Sequence, residues 1–213
     1  MPRTIPKSYM YITGQLSSAK AIGVAAFIAR LEPDFLRLLE FDPRVKSFQV
    51  YPCRIYWTDQ LGTKRRYTPD CRVNFWDPQR KPCLCEIKFR SFLKTHWKEL
   101  RPAFRAAVHA AALEGSRFKI LTEKEIRTDY LVCVKFLLPF VRRGVDRAST
   151  ERVLALMRQL KVTTPNRFME RISQDPEEQA LLLPALWHAI GTFQIKADLN
   201  VPLTMDSRIE SLQ

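Results

Sequence analysis

Tyr67-Thr68-Pro69-Asp70-Cys71-Arg72-Val73-Asn74-Phe75-Trp76 and, after a turn through Asp77, Pro78 and Gln79, Cys83-Leu84-Cys85-Glu86-Ile87-Lys88-Phe89-Arg90 are the two runs on which the fold turns. Cys71 to Trp76 and Cys83 to Phe89 have the apolar and aromatic content of strands, and the Asp-Pro between them is a turn signal, so together they predict a hairpin. Side chains alternate across a strand, which puts Glu86 and Lys88 on one face and turns Ile87 into the core, its carbonyl lying along the strand between them. Asp70 stands at the mouth of the first strand. Two carboxylates and an amine therefore converge.

Carboxylates about 4 Å apart repel by roughly 1 kcal/mol in water and about 4 kcal/mol at an effective dielectric near 20. A divalent cation removes that penalty. Oxygen ligands without His or Cys suit Mg²⁺, with Mn²⁺ able to substitute, better than Zn²⁺. Lys88 is no ligand for such an ion, but it can orient a water and offset charge building on a phosphorus centre. The chemistry implied is metal-assisted phosphodiester hydrolysis. A bare Glu-x-Lys is ordinarily a same-face ion pair on a solvated strand. Pro69-Asp70 upstream and the apolar Leu84, Ile87 and Phe89 around the carboxylate set this one apart.

The net charge of +13 over 213 residues is unevenly placed. Residues 1–144 carry 27 Lys or Arg against 13 Asp or Glu, whereas residues 145–213 carry eight against nine. The basic part is the part with the carboxylates, as a polyanion substrate requires, because phosphate contacts supply much of the binding energy through counterion release. Double-stranded DNA is the expected partner, with Lys64, Arg65, Arg66, Arg90 and Lys94 as its candidate contacts, and no small-molecule substrate is expected. There is no run of 18 apolar residues and no cleavable leader pattern, so neither a membrane span nor secretion is predicted. Five cysteines without Cys-x-x-Cys spacing and three scattered histidines read as buried, reduced thiols in a cytoplasm, with no zinc site.

Residues 1–20 have no sustained period and read as a basic arm ordered by a partner, with Lys7, Tyr9, Tyr11 and Lys20 available to a phosphate backbone. Residues 21–144 read as one α/β domain. From Ser17 to Phe41 the three-and-four spacing of Val24, Phe27, Ile28, Leu31, Phe35, Leu38 and Leu39 predicts helix, interrupted at Pro33, which puts Glu32 at a kink or at the N-cap of a second helix. Strands are predicted over Val45–Pro52 and Arg54–Thr58, then a turn through Gln60, Leu61 and Gly62, after which Lys64, Arg65 and Arg66 lead into the first quoted run. An amphipathic helix over Lys94–Leu113 carries Leu100, Phe104, Ala107 and Ala111 on one stripe, with His96 and Trp97 near its entry read as packing or capping residues ahead of DNA contacts. Gly115 ends it, and Phe118–Leu121 is a further strand.

Residues 145–213 read as a small winged-helix-like domain. Ser149 or Thr150 caps one helix, and Thr164-Pro165 and Asp175-Pro176 start two more. Thr192–Ala197 and Thr204–Ile209 form a ribbon around Pro202. Such domains often place a helix in the major groove, but the acidic balance here favours docking to protein.

The runs Leu38-Leu39-Glu40-Phe41-Asp42, Arg66-Tyr67-Thr68-Pro69-Asp70, Leu84-Cys85-Glu86-Ile87-Lys88-Phe89-Arg90 and Trp97-Lys98-Glu99-Leu100, together with Leu121-Thr122-Glu123-Lys124-Glu125-Ile126-Arg127-Thr128, resemble TnsA, the endonuclease subunit of Tn7-like transposases. Leu182-Leu183-Pro184-Ala185-Leu186-Trp187-His188 and Asp198-Leu199-Asn200-Val201-Pro202-Leu203 are similar to that family's short, CRISPR-associated members. The resemblance implies a restriction-endonuclease-like, PD-(D/E)xK core in a bacterial, nucleoid-associated protein. It also implies a division of labour in which this subunit cuts the 5′ ends of the transposon, TnsB cuts and joins the 3′ ends, and the ATPase TnsC couples both to a target. By position, Asp70 is the metal-bridging aspartate, Glu86 its partner and Lys88 the catalytic lysine. Glu32 is the helix-borne acid that completes the metal set with the Ile87 carbonyl. Two departures stand out: Pro33 follows Glu32, leaving Asp34 and Glu40 as substitutes, and Val50-Tyr51-Pro52 replaces a Glu-Gln-Pro run. A repair or resolvase nuclease of the same fold, which would cut DNA unaided, and a non-catalytic bridge between TnsB and TnsC are the other readings.

Overall fold

A computed structural model describes residues 14–28, 30–59 and 61–212, and the chain divides by packing after Ile126 into two compact units. It is a mixed α/β protein. In the first unit, β1 (Gly14–Leu16) pairs antiparallel with β2 (Ala25–Phe27), and α1 (Glu32–Phe41) follows. Next come β3 (Val45–Val50), the antiparallel pair β4 (Ile55–Thr58) and β5 (Lys64–Tyr67), β6 (Cys71–Phe75), β7 (Cys83–Ile87), α2 (Arg90–Leu113), β8 (Arg117–Leu121) and the short α3 (Glu123–Ile126).

The main sheet has the order β3-β6-β7-β8. The two quoted runs form its centre: β6 and β7 pair antiparallel with Cys71 opposite Cys85 and Val73 opposite Cys83. β8 joins β7 in parallel, which needs a long crossover, and α2 supplies it. Alternation divides β7 between two faces. Cys83, Cys85 and Ile87 join Phe35, Leu36 and Leu39 of α1 and Phe48 of β3 in one apolar cluster. Phe104 of α2 is buried on a cluster of rings with Tyr67 and Phe118. Burying each side chain of this size contributes roughly 1.5–3 kcal/mol.

Several expectations are corrected. Ser17 to Ile28 is not helical: Gly23 adopts φ +77°, Ala21 bridges to Phe48, and Ala25–Phe27 is a strand. The helix begins at Glu32, with Pro33 in its first turn, where the missing N–H is harmless. Residues 14–20 of the expected arm are tied to the domain, since Glu40 accepts hydrogen bonds from Ser18 Oγ and from Ala19 N (3.0 Å), and Lys20 Nζ donates to the Asp42 carbonyl at 2.6 Å. Lys7, Tyr9 and Tyr11 lie outside the described residues. Lys64, Arg65 and Arg66 are a strand rather than a connector, and α2 starts four residues before Lys94.

The second unit begins at α4 (Asp129–Arg143), so the division precedes the boundary expected after residue 144. This helix buries Leu131, Val134, Leu137 and Leu138 and packs on a later helix of the same unit. α5 (Arg147–Leu160), β9 (Val162–Thr163), α6 (Pro165–Ile172), α7 (Pro176–Gly191), β10 (Ile195–Ala197) and β11 (Ile209–Ser211) complete it. β11 lies between β10 and β9, both antiparallel to it, but the ribbon strand expected over Thr204–Ile209 is turn and coil as far as Arg208, and the pairing strand begins only at Ile209. Thr164 and Asp175 cap α6 and α7 ahead of first-turn prolines as expected, whereas α5 is capped by Asp146, whose carboxylate accepts from Ser149 N. Each such cap is worth about 1 kcal/mol. The five cysteines are free, four of them buried, and no helix among the described residues is long and apolar enough to cross a membrane.

Candidate active site

β6 and β7 deliver the convergence that their spacing predicts. Asp70 immediately precedes β6, and its Oδ2 accepts a 2.7 Å hydrogen bond from Ile87 N, which pins it against β7. Lys88 Nζ lies 2.7 Å from Glu86 Oε1, 3.5 Å from Asp70 Oδ2 and 3.3 Å from the Ile87 carbonyl oxygen. Three oxygens thus face one ammonium. Asp70 and Glu86 are buried, in contrast to a solvated strand pair.

The electrostatics follow from that burial. Loss of water, and then the charge of Asp70, push the Glu86 carboxyl up to about 7 despite the opposing pull of Lys88. Asp70 is likewise raised, burial outweighing Lys88 and the Ile87 N–H. For Lys88 burial works against the charge, but Asp70 and Glu86 outweigh it and its pKa is raised, so it remains an ammonium at neutral pH. Two acids are strained toward protonation beside a firmly held cation, the electrostatic pattern of an active site.

Glu32, buried at the start of α1, also reaches this region. Its Oε2 accepts from Tyr51 Oη and Ile28 N, both at 3.0 Å, and its pKa is raised first by burial and then by Asp70. Pro33 follows it in the first turn of α1. The two substitutes are engaged elsewhere: Asp34 faces Arg37 at 3.6 Å, and Glu40 holds Ser18 and Ala19.

Two tyrosines belong to the site without having been assigned a role from sequence. Tyr67 Oη donates to Glu86 Oε2, and its own ionisation is pushed far up by burial and by Glu86. Tyr51, the departure from Glu-Gln-Pro, supplies the hydroxyl to Glu32 from a backbone at φ +47°, while its N–H donates to the Asp70 carbonyl at 2.9 Å. A non-glycine residue in that region costs on the order of 1–3 kcal/mol, a cost that clusters at functional sites. Tyr67 was visible as part of the Pro-Asp run, but nothing in sequence signalled a partner nineteen residues away.

The hard oxygens of Asp70, Glu86 and the Ile87 carbonyl are a donor set of the kind Mg²⁺ takes, since that ion is commonly bound through one or two carboxylates and keeps several waters. Among the described residues no three Asp, Glu, His or Cys side chains close into a metal cage, so Glu32 stands at the margin of this set. The expected DNA contacts are exposed. Lys64, Arg65 and Arg66 lie on β5, with Arg65 Nε held 2.8 Å from Asp59 Oδ2. Arg90 and Lys94 line a hollow at the start of α2.

Residues 42–123 match the family model described as the TnsA-like endonuclease N-terminal domain. That span takes in Asp70, Glu86, Lys88 and both tyrosines but begins after Glu32. No curated protein matches the chain.

Proposed function

We propose that the chain, whose residues 42–123 match the TnsA-like endonuclease N-terminal family, is the Mg²⁺-dependent endonuclease subunit of a Tn7-like transposase, cutting the 5′, non-transferred strands at transposon ends. The observation that carries this reading is the meeting of buried Asp70 and Glu86 with Lys88 across β6 and β7. On this reading the first unit is a PD-(D/E)xK, restriction-endonuclease-like core, supported by the β3-β6-β7-β8 sheet with the triad at its centre.

Asp70, Glu86 and the Ile87 carbonyl would hold the ion, with Glu32 supporting them. Mg²⁺ supplies Lewis acidity toward the phosphoryl oxygens and lowers the pKa of water. The protein's share is positional and electrostatic. The Ile87 N–H fixes Asp70, Tyr67 orients Glu86, and Tyr51 orients Glu32. The Lys88 ammonium, within reach of the same oxygens, orients the attacking water and offsets the negative charge that grows on phosphorus. The exposed cations of β5 and of the start of α2 would hold the DNA backbone.

The succession α5, β9, α6, α7, β10, β11 supports a winged-helix-like second unit. Residues 127–213 carry 12 Lys or Arg against 10 Asp or Glu, near balance rather than clearly basic, which supports docking to TnsC or TnsB rather than groove reading. TnsB would supply end specificity, TnsC would link the pair to a target, and the similarity of 182–188 and 198–203 to CRISPR-associated members supports that kind of transposon in a bacterial cytoplasm. The test is the chemistry of the cut end. With TnsB, TnsC and Mg²⁺, transposon-end DNA should acquire a 5′-strand break bearing a ligatable 5′-phosphate and a 3′-hydroxyl, and EDTA should abolish it. A 3′-phosphate, or a break indifferent to EDTA, contradicts the mechanism.

A further inference from the structure

A hollow of about 580 Å³ opens at the start of α2, lined by Arg90, Ser91, Leu93, Lys94, Trp97 and Thr122. Arg90 follows Lys88 by two residues, a backbone span of at most about 7 Å, so the hollow begins one or two nucleotides from any phosphorus addressed by Asp70 and Glu86. It also lies on the carboxylate side of the fold. The Trp97 ring rests on Phe104 at 6.0 Å between centroids, Phe104 carries Tyr67 at 6.1 Å, and the Tyr67 hydroxyl donates to Glu86.

Packing alone does not account for this indole. Trp97 is 46% exposed, although Phe104 beneath it is buried. Leu93 offers an apolar floor, and Arg90 and Lys94 stand exposed at the same hollow. A paired duplex has little use for such a surface: its phosphates need only point charges, and its base faces are already covered by their neighbours. An unpaired base has a free face, and an aromatic side chain beside cations is the arrangement that holds one without regard to sequence. The volume is in the range of pockets that enclose a small ligand.

We infer that this hollow receives an unpaired nucleotide next to the cut, its base stacked on Trp97 and its phosphates held by Arg90 and Lys94. The inference rests on the reading of Asp70, Glu86 and Lys88 as a DNA-cleaving site and adds to it that the strand is locally opened where it is cut.

The test is binding by the full chain in EDTA, so that no strand is cut, to two labelled transposon-end DNAs: one fully paired, one with a short unpaired 5′ segment at the cut position. The native chain should prefer the unpaired form by about tenfold, as loss or gain of one stacked base warrants. Trp97→Ala should erase that preference while changing affinity for the paired DNA less than twofold, and Trp97→Phe should keep most of it. Arg90→Ala with Lys94→Ala should weaken both DNAs. Equal weakening of both DNAs by Trp97→Ala, or no change in either, overturns the inference, the latter outcome making the indole a protein-docking residue. Failure of the native chain to bind either DNA even with TnsB present would instead remove the nuclease reading, and this inference with it.

Discussion

Lys88 Nζ and Glu86 Oε1, two residues apart on one strand, lie 2.7 Å from each other, and the same ammonium is 3.5 Å from Asp70. One cation is shared by two buried acids, so the site carries an unbalanced negative charge whenever both are ionised. Its energetics should therefore follow pH and divalent cations together.

The first consequence is a stability that declines toward neutral pH. Glu86 titrates near 7 in the fold against 4.5 when unperturbed, so between those values the folded chain holds a proton that the unfolded chain has released. Stability falls as pH rises through that window, by on the order of a few kcal/mol, and the loss is complete above pH 7. Urea unfolding in EDTA at pH 5 and pH 8 should show this decline, and Glu86→Gln should reduce it, leaving the share of Asp70 and Glu32, which burial also raises. Parallel profiles for the two proteins would mean that Glu86 is not the group responsible.

Mg²⁺ should reverse the effect where it is largest. Binding to the ionised site stabilises the fold in proportion to RT ln(1 + [Mg²⁺]/Kd). The rise in Tm on adding Mg²⁺ should be larger at pH 8 than at pH 5 and absent in Asp70→Ala. A Tm rise of the same size in that variant would place the ion elsewhere.

Tyr67→Phe isolates one hydrogen bond. The ring keeps its edge-on contacts with Phe104 and Phe118, at 6.1 and 6.4 Å, while Glu86 loses the donor that favours its charged form. Stability should drop by about 1 kcal/mol, and the acid limb of the cleavage-rate profile should move to higher pH. An unshifted limb would show that Glu86 ionisation does not govern the reaction.

The second unit offers a test of packing alone. A Cβ on Gly191 would sit 2.6 Å from Val141 Cγ2, so Gly191→Ala in α7 forces α4 away and should cost roughly 1–3 kcal/mol. Adding Val141→Ala should recover part of that loss in a double-mutant cycle. An additive result would mean that α4 and α7 already have room to adjust.

The hairpin at the centre of the sheet was legible because its signals are local: a turn at Asp77-Pro78, strand composition on either side, and an alternation that places Glu86 with Lys88. The same spacing logic misread Ser17 to Ile28, where apolar residues at helical intervals serve instead a strand, Ala25–Phe27, and the turn at Gly23 before it. Periodicity cannot see a long-range pairing such as Ala21 with Phe48. Helix α4 had no counterpart in the sequence reading, its apolar run being interrupted by Pro139. Asp70, Glu86 and Lys88 were readable from their motif, whereas the support that Tyr51 and Tyr67 give to Glu32 and Glu86 depends on contacts nineteen residues apart that no motif encodes.

The central claim is that Asp70, Glu86 and Lys88 form the centre that cuts the 5′ strand. Its most direct test is strand-resolved cleavage of transposon-end DNA with Mg²⁺, TnsB and TnsC, comparing the native chain with Asp70→Ala and Lys88→Ala. Both variants should lose the 5′-strand cut, by at least about a hundredfold as expected for removal of a group that stabilises transition-state charge, while the 3′-strand cut persists. Undiminished 5′ cutting in both variants would contradict the account and leave the chain as a bridge between its partners.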